Sequence, residues 1–180
     1  MPKILYRSLP AFTIVEMLVV ISLTVLLMLT ATSLFMAMLI GNTKGTVTQK
    51  VKSEGEYAAS QIEFLLRNAV SLQPNLLNQT CVAGMDSLSL KSIDNGVTTL
   101  SKETDPSDGK DKIASNSGIY LTSGTTDITA GPTFDCRQSN DGTKTYVTVS
   151  FALRKGTPGV DKPRDIVEQV FTTSVSLRIY

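Results

Sequence analysis

A single carboxylate interrupts an otherwise uncharged apolar run. Glu16 follows Phe12-Thr13-Ile14-Val15, and no further charge occurs from Met17 to Ile40. An ionised side chain in such a setting costs up to a few kcal/mol in a bilayer unless something compensates it. Two solutions are open to it. The carboxylate reaches back to the membrane edge, or it meets a partner charge in an assembled state. The other residues with chemical potential are few. Cys81 and Cys136 are too far apart in sequence for a CxxC redox or zinc pair. If they lie outside the cytoplasm, a disulfide is the natural pairing, worth roughly 3–4 kcal/mol on the chain-entropy account. The alternative is two unpaired buried thiols. Asp105, Asp108 and Asp111 cluster in ETDPSDGKDK, and Asp135 and Asp141 flank Cys136. Oxygen-rich loops of this kind bind calcium in some proteins. Here the spacing is not that of an EF-hand and lysines dilute the cluster, so a solvated loop is the expectation.

The chain contains no histidine, which removes the commonest general base and metal ligand. No P-loop, GxSxG, HExxH or GxGxxG is present. No enzymatic activity, metal or cofactor is therefore expected. With 17 basic and 16 acidic side chains the net charge is +1, and the lysines show no one-sided pattern. No nucleic-acid partner is expected from such a balance.

The elements that carry these residues follow from patterning. The first segment, MPKILYRSLPA, holds Lys3 and Arg7. The 24 uncharged residues from Met17 to Ile40 extend roughly 36 Å as a helix, enough for a bilayer core of about 30 Å. That is longer than a signal-peptide apolar region. The basic residues before it favour a cytoplasmic N-terminus, although Lys44, Lys50 and Lys52 follow the span. Gly41 to Gly45 lower helix propensity locally, marking a bend or a melted stretch. Helical periodicity then resumes. Val47, Val51, Ala58, Ile62, Leu65, Ala69 and Leu72 share one face, and Pro74 closes the pattern.

Beyond Leu76, short β-prone runs alternate with turn residues. Ser87–Ile93 and Val97–Leu100 flank Asp94-Asn95-Gly96 and predict a hairpin. Gly118–Thr122, Tyr146–Leu153 and Val167–Ile179 are further predicted strands. In the last, Phe171, Thr173, Val175, Leu177 and Ile179 alternate with polar positions, as in an antiparallel sheet solvated on one side. A long helix followed by several strands predicts an α+β fold. Four segments are expected: 1–11, a leader; 12–40, a membrane-spanning helix; 41–74, an amphipathic helix; and 75–180, a β-rich extracytoplasmic head. No repeat of 20–50 residues is visible.

The run Ala11-Phe12-Thr13-Ile14-Val15-Glu16-Met17-Leu18, behind a basic leader, resembles the class III prepilin signal of type IV pilins and pseudopilins. The resemblance implies cleavage by a prepilin peptidase between Ala11 and Phe12, and N-methylation of Phe12. Glu16 then stands fifth in the mature chain, where the family uses a glutamate in assembly. Ala11 takes the place of the family's usual glycine. The implied partners are other pilin or pseudopilin subunits, the peptidase, the assembly platform and the inner membrane. The implied location is a single-pass membrane protein with an extracytoplasmic head, then a surface filament. The implied fold is pilin-like, with the long N-terminal helix packed on an antiparallel sheet. The segments GEYAASQIEFLLRNAV and VFTTSVSLR resemble minor pilins of the J/W-like type, and no proline interrupts Phe12–Gln73 as one often does in major pilins.

Two other classes fit parts of the sequence. A signal-anchored binding or sensor domain would keep its N-terminus intact and leaves Glu16 unexplained. A secreted enzyme would be cut after the apolar run, near Ala31–Ser33, but lacks a catalytic constellation.

Overall fold

The computed structural model describes residues 12–74, 77–78, 80–116, 118–139 and 144–178. The chain separates into two compact units, Met1–Asn42 and Thr43–Tyr180. One helix, α1 (Ile14–Arg67), contributes to both.

In the first unit α1 is apolar and its side chains are exposed throughout. Gly41 and Gly45 do not break it. A helical glycine costs only about 1 kcal/mol relative to alanine, too little to melt a helix of this length. In the second unit Val51, Gly55, Ala58, Ile62 and Leu66 form the buried stripe. Leu66 is fully buried, whereas the expected Leu65 is only partly so.

The helix ends at Arg67, earlier than Pro74. Ala69–Gln73 forms strand β1 instead. Ala69 and Leu72 satisfy a helical spacing, but both are apolar positions that a sheet also buries, and periodicity over so short a run does not separate the two. Glu63 accepts from the Arg67 guanidinium at 2.6 Å one turn before the end, in the favourable order for an i,i+4 pair.

Seven strands make two antiparallel sheets. The first has the order β1, β2 (Ser87–Ser92), β3 (Val97–Thr104), β4 (Asp111–Ser115). The second has β5 (Asp127–Gln138), β6 (Lys144–Lys155), β7 (Val167–Arg178) in sequence order. The predicted hairpin forms β2 and β3, with Leu88 opposite Leu100 and Leu90 opposite Thr98. Its turn places Asn95 at φ 64°, a left-handed conformation that asparagine tolerates. The predicted strands at Tyr146–Leu153 and Val167–Ile179 become the paired β6 and β7; Ile179 lies outside the described residues. Gly118–Thr122 gives no strand, only a single bridge from Tyr120 to Ala114.

Strands β4 and β5 were not expected. β4 begins inside the aspartate-rich run, whose polarity reads as loop. β5 carries Gly131-Pro132, a breaker signal, and the ladder with β6 shifts register around that pair.

The core of the second unit lies between the α1 stripe and the sheets. Phe134, Phe151, Leu88 and Leu100 are fully or almost fully buried in it. Phe151 and Phe171 stack with ring centroids 5.5 Å apart, and the Phe171 ring lies directly over Gly55. A methyl group at Gly55 would fall inside that ring. Gly55→Ala is therefore expected to destabilise the chain. Overpacking costs about 1–3 kcal/mol, against a helix-propensity gain of about 1 kcal/mol. Gly45→Ala, where nothing lies within 4 Å, shows the propensity gain alone. Urea unfolding of the detergent-solubilised chain, followed by circular dichroism, separates the two signs.

Candidate functional site

The N-terminal end of α1 is built by Thr13 and Glu16. The Thr13 hydroxyl accepts from the Glu16 backbone N–H at 3.2 Å, and the Thr13 carbonyl accepts from Met17 N–H at 3.2 Å. Thr13 is thus the N-cap and Glu16 the third helical residue, the Thr-x-x-Glu spacing of a capping box. Sequence reasoning missed Thr13, although this spacing was a signal for it. The arrangement fixes the Glu16 backbone in the first turn, where a helix dipole favours negative charge. The Glu16 side chain is exposed and, among the described residues, its carboxylate has no ion-pair partner. Phe12 is exposed, at 73% of its free surface. Ala11 lies outside the described residues, so the Ala11–Phe12 junction is placed only by Phe12.

From Ile14 to Ile40 the surface is apolar. Its hydroxyls are folded onto their own helix. Ser22 donates to Val19 O at 2.8 Å, Thr24 to Val20 O at 2.9 Å, Thr30 to Leu27 O at 2.9 Å, Thr32 to Met28 O at 2.7 Å and Ser33 to Thr30 O at 2.8 Å. Each of these hydroxyls is satisfied within the helix, as a bilayer or an apolar helix bundle requires. Among the described residues α1 is the one helix long and apolar enough to cross a membrane. The chain therefore carries one candidate membrane span near its N-terminus.

In the second unit Cys81 and Cys136 are joined by a disulfide with a Cα–Cα distance of 4.9 Å. Backbone contacts reinforce it. Cys136 N–H donates to Val82 O at 3.1 Å, Gly84 N–H to the Asp135 carboxylate at 2.7 Å, and Met85 pairs with Phe134. The bridge ties the segment before β2 to the C-terminal part of β5. Asp141 lies outside the described residues.

The aspartates of 105–111 do not form one shared oxygen shell. Asp105 and Asp108 converge on the Lys112 ammonium, the latter at 2.9 Å, and the Tyr120 ring lies 5.0 Å from it. Asp111 turns away to Lys102 at 3.1 Å and to the Thr104 hydroxyl. No group of three ligating side chains suited to a metal occurs among the described residues. Lys112 is buried, so the cluster is a closed charge network and not merely a solvated loop. The Lys112 ammonium and the Ser107 contacts hold the Asp105 carboxyl down at about 2. Burial alone would lower the pKa of Lys112; Asp105 and Asp108 outweigh it and raise the value.

The signs give a pH profile. Asp105 is depressed below the unfolded carboxylate value of about 3.9. Its contribution is complete above that value and is lost as pH falls towards 2. The lysine contribution is complete below about 10.4, the unfolded value, and is lost only at higher pH. Acid titration of the unfolding midpoint is expected to show a fall from pH about 4 towards 2, shallower in Lys112→Met, which removes the ammonium and keeps the Ser107 contacts. That variant should be less stable than Asp105→Asn/Lys112→Met at neutral pH, because it leaves a buried carboxylate unpaired.

A second network fastens the β4–β5 loop to α1. Glu54 accepts from the hydroxyls of Ser123 at 2.7 Å, Thr126 at 2.6 Å and Thr125. Burial would raise the Glu54 pKa, but these hydroxyls outweigh it and lower the value. The first network holds the β3–β4 connection and the second holds the β4–β5 loop.

Glu16 with Phe12, and Cys81 with Cys136, are thus two separate sites in two units. Comparison with protein-family models, with characterised proteins and with solved structures gives no match for this chain.

Proposed function

We propose that the chain is a type IV pilin-like structural subunit, of the minor pilin or pseudopilin kind. A prepilin peptidase removes residues 1–11, the apolar half of α1 holds the subunit in the inner membrane, and the same half enters the filament core. The observation that carries this reading is Glu16. It is the fifth residue after the Ala11–Phe12 junction and has no ion-pair partner of its own among the described residues, on a segment whose entire apolar surface is exposed.

The physical logic is compensation. When apolar helices bundle, van der Waals packing replaces contact with lipid. Glu16 then meets low dielectric, where it is tolerated only if paired. The amino terminus that cleavage creates on Phe12 of a neighbouring subunit supplies the cation. The pair selects register, because only one axial offset brings the two charges together. The head, closed by a disulfide and two charge networks, is the exposed cargo of the helix.

Shearing surface filaments from cells and probing them for the head tests this. The chain is expected in the sheared fraction alongside other pilin subunits, and to vanish from it in cells lacking prepilin peptidase. Retention in the membrane alone, unaffected by loss of the peptidase, is the result that overturns it.

A further inference from the structure

The two halves of the Cys81–Cys136 bridge stand in different surroundings. Cys136 belongs to β5 and is only 4% exposed. The sheet holds it, and its backbone N–H donates to Val82 O at 3.1 Å. Cys81 belongs to no strand and is partly exposed. A groove of about 170 Å³ lies against Cys81 and not against Cys136. Val70 and Leu72 from β1, Thr145 from β6, Leu177 from β7 and Gln138 from β5 line it. Among the described residues no charged side chain faces it.

Thiol–disulfide exchange needs a thiolate to reach one of the two sulfurs, so access decides which is attacked. Two effects oppose each other at this bridge. Attack on Cys81 expels Cys136, and apolar burial raises a thiol's pKa and makes its thiolate a poorer leaving group. That slows opening without redirecting it, because the packed sheet closes the approach to Cys136.

We propose that Cys81 is a site of reversible S-thiolation by a neutral thiol that carries a small apolar group. The incoming thiolate forms a new S–S bond to the Cys81 sulfur and the Cys81–Cys136 bond breaks. Cys136 leaves with the electron pair and takes up the proton that the incoming thiol released to solvent. One disulfide replaces another, so no oxidant or reductant is consumed. The apolar group enters the groove. An apolar cavity of about 150 Å³ accepts benzene, so the space beside Cys81 suits a group of that size. Thiols that carry carboxylate or ammonium groups are disfavoured, because those charges lose hydration in an uncharged groove.

Reversal is built in. The bonds from Cys136 to Val82, from Gly84 to Asp135 and between Met85 and Phe134 do not involve the bridge. They hold the segment after Cys81 against β5 once the bridge opens. The Cys136 thiolate therefore stays within reach of the mixed disulfide and can restore the bridge. The site does not depend on the filament reading and stands if that reading fails.

The full chain in detergent, treated briefly with benzyl mercaptan, quenched with N-ethylmaleimide and mapped by peptide mass, tests this. The benzyl adduct is expected on Cys81 and the maleimide on Cys136, in at least about ten-fold excess over the reverse. Val70→Trp fills the groove and is expected to slow the benzyl mercaptan reaction about five-fold. The smaller 2-mercaptoethanol is expected to open both chains at the same rate. Both chains share the same micelles, so partition of the apolar thiol into detergent cancels. A bridge already absent before treatment reveals a Val70→Trp chain that does not fold, and the wild-type map then decides alone. A benzyl adduct on Cys136, or one shared equally, overturns the proposal. So does a folded Val70→Trp chain that reacts with benzyl mercaptan at the wild-type rate.

Discussion

Replacing Glu16 with alanine is expected to cut incorporation into filaments by about 100-fold while leaving insertion in the membrane intact. Removing one member of a buried ion pair costs roughly 3–5 kcal/mol, because the other charge is left unpaired in low dielectric. Every 1.4 kcal/mol is a factor of about ten. Glu16 stands in the first turn of α1 with its backbone N–H on the Thr13 hydroxyl, and alanine keeps that bond. The local helix start therefore survives, and membrane insertion becomes easier because a charge is lost. Quantitative immunoblotting of sheared and membrane fractions reads both effects together. Wild-type incorporation of Glu16→Ala would rule out the ion pair. Glu16→Gln keeps the size and hydrogen-bonding capacity but not the charge, so it is expected to behave like alanine.

The second large effect concerns the head. Replacing Cys81 and Cys136 with alanine is expected to lower its stability by roughly 4 kcal/mol, the chain-entropy value for a loop closed over this separation. The bridge spans 55 residues of sequence, and that stretch contains β2, β3, β4 and much of β5. Its loss frees a large part of the unfolded chain. The backbone bonds around Val82, Gly84 and Met85 stay available in the folded state, so folding is weakened and not abolished. Urea unfolding with and without reductant is the measurement. Reductant is expected to bring the wild-type chain to the midpoint of the double variant and to leave the variant unchanged. Equal midpoints for oxidised wild type and variant would show that the bridge contributes nothing.

The sequence made the long apolar helix, the α+β class, the β2–β3 hairpin and strands β6 and β7 readable. Each carries a strong local signal: an uncharged run of membrane length, an Asp-Asn-Gly turn, or strict alternation. The misplaced end of α1 has a different cause. Ala69 and Leu72 are apolar at spacings that suit both a helix face and a short strand, and only pairing with β2 decides between them. β4 stayed hidden because Asp111 and Lys112 read as loop. Their charge is balanced by Asp105, Asp108 and Lys102 from neighbouring turns and strands, a tertiary fact. β5 stayed hidden behind Gly131-Pro132, which the strand accommodates by shifting register. Within the candidate site, Glu16 and the two cysteines stand out by residue type alone. The proposed partner of Glu16 does not, because an ion pair between chains would leave no mark on one of them. Gly55 was similarly unreadable, since its role is the space it leaves for Phe171 from a distant strand.

Cleavage before Phe12, and assembly through the apolar helix that begins beside it, are the centre of the proposed function. Intact mass and terminal peptide sequencing of protein taken from membranes or sheared filaments test this most directly. The expected chain begins with N-methylated Phe12. A chain that begins at Met1, or after the apolar run, contradicts the proposal.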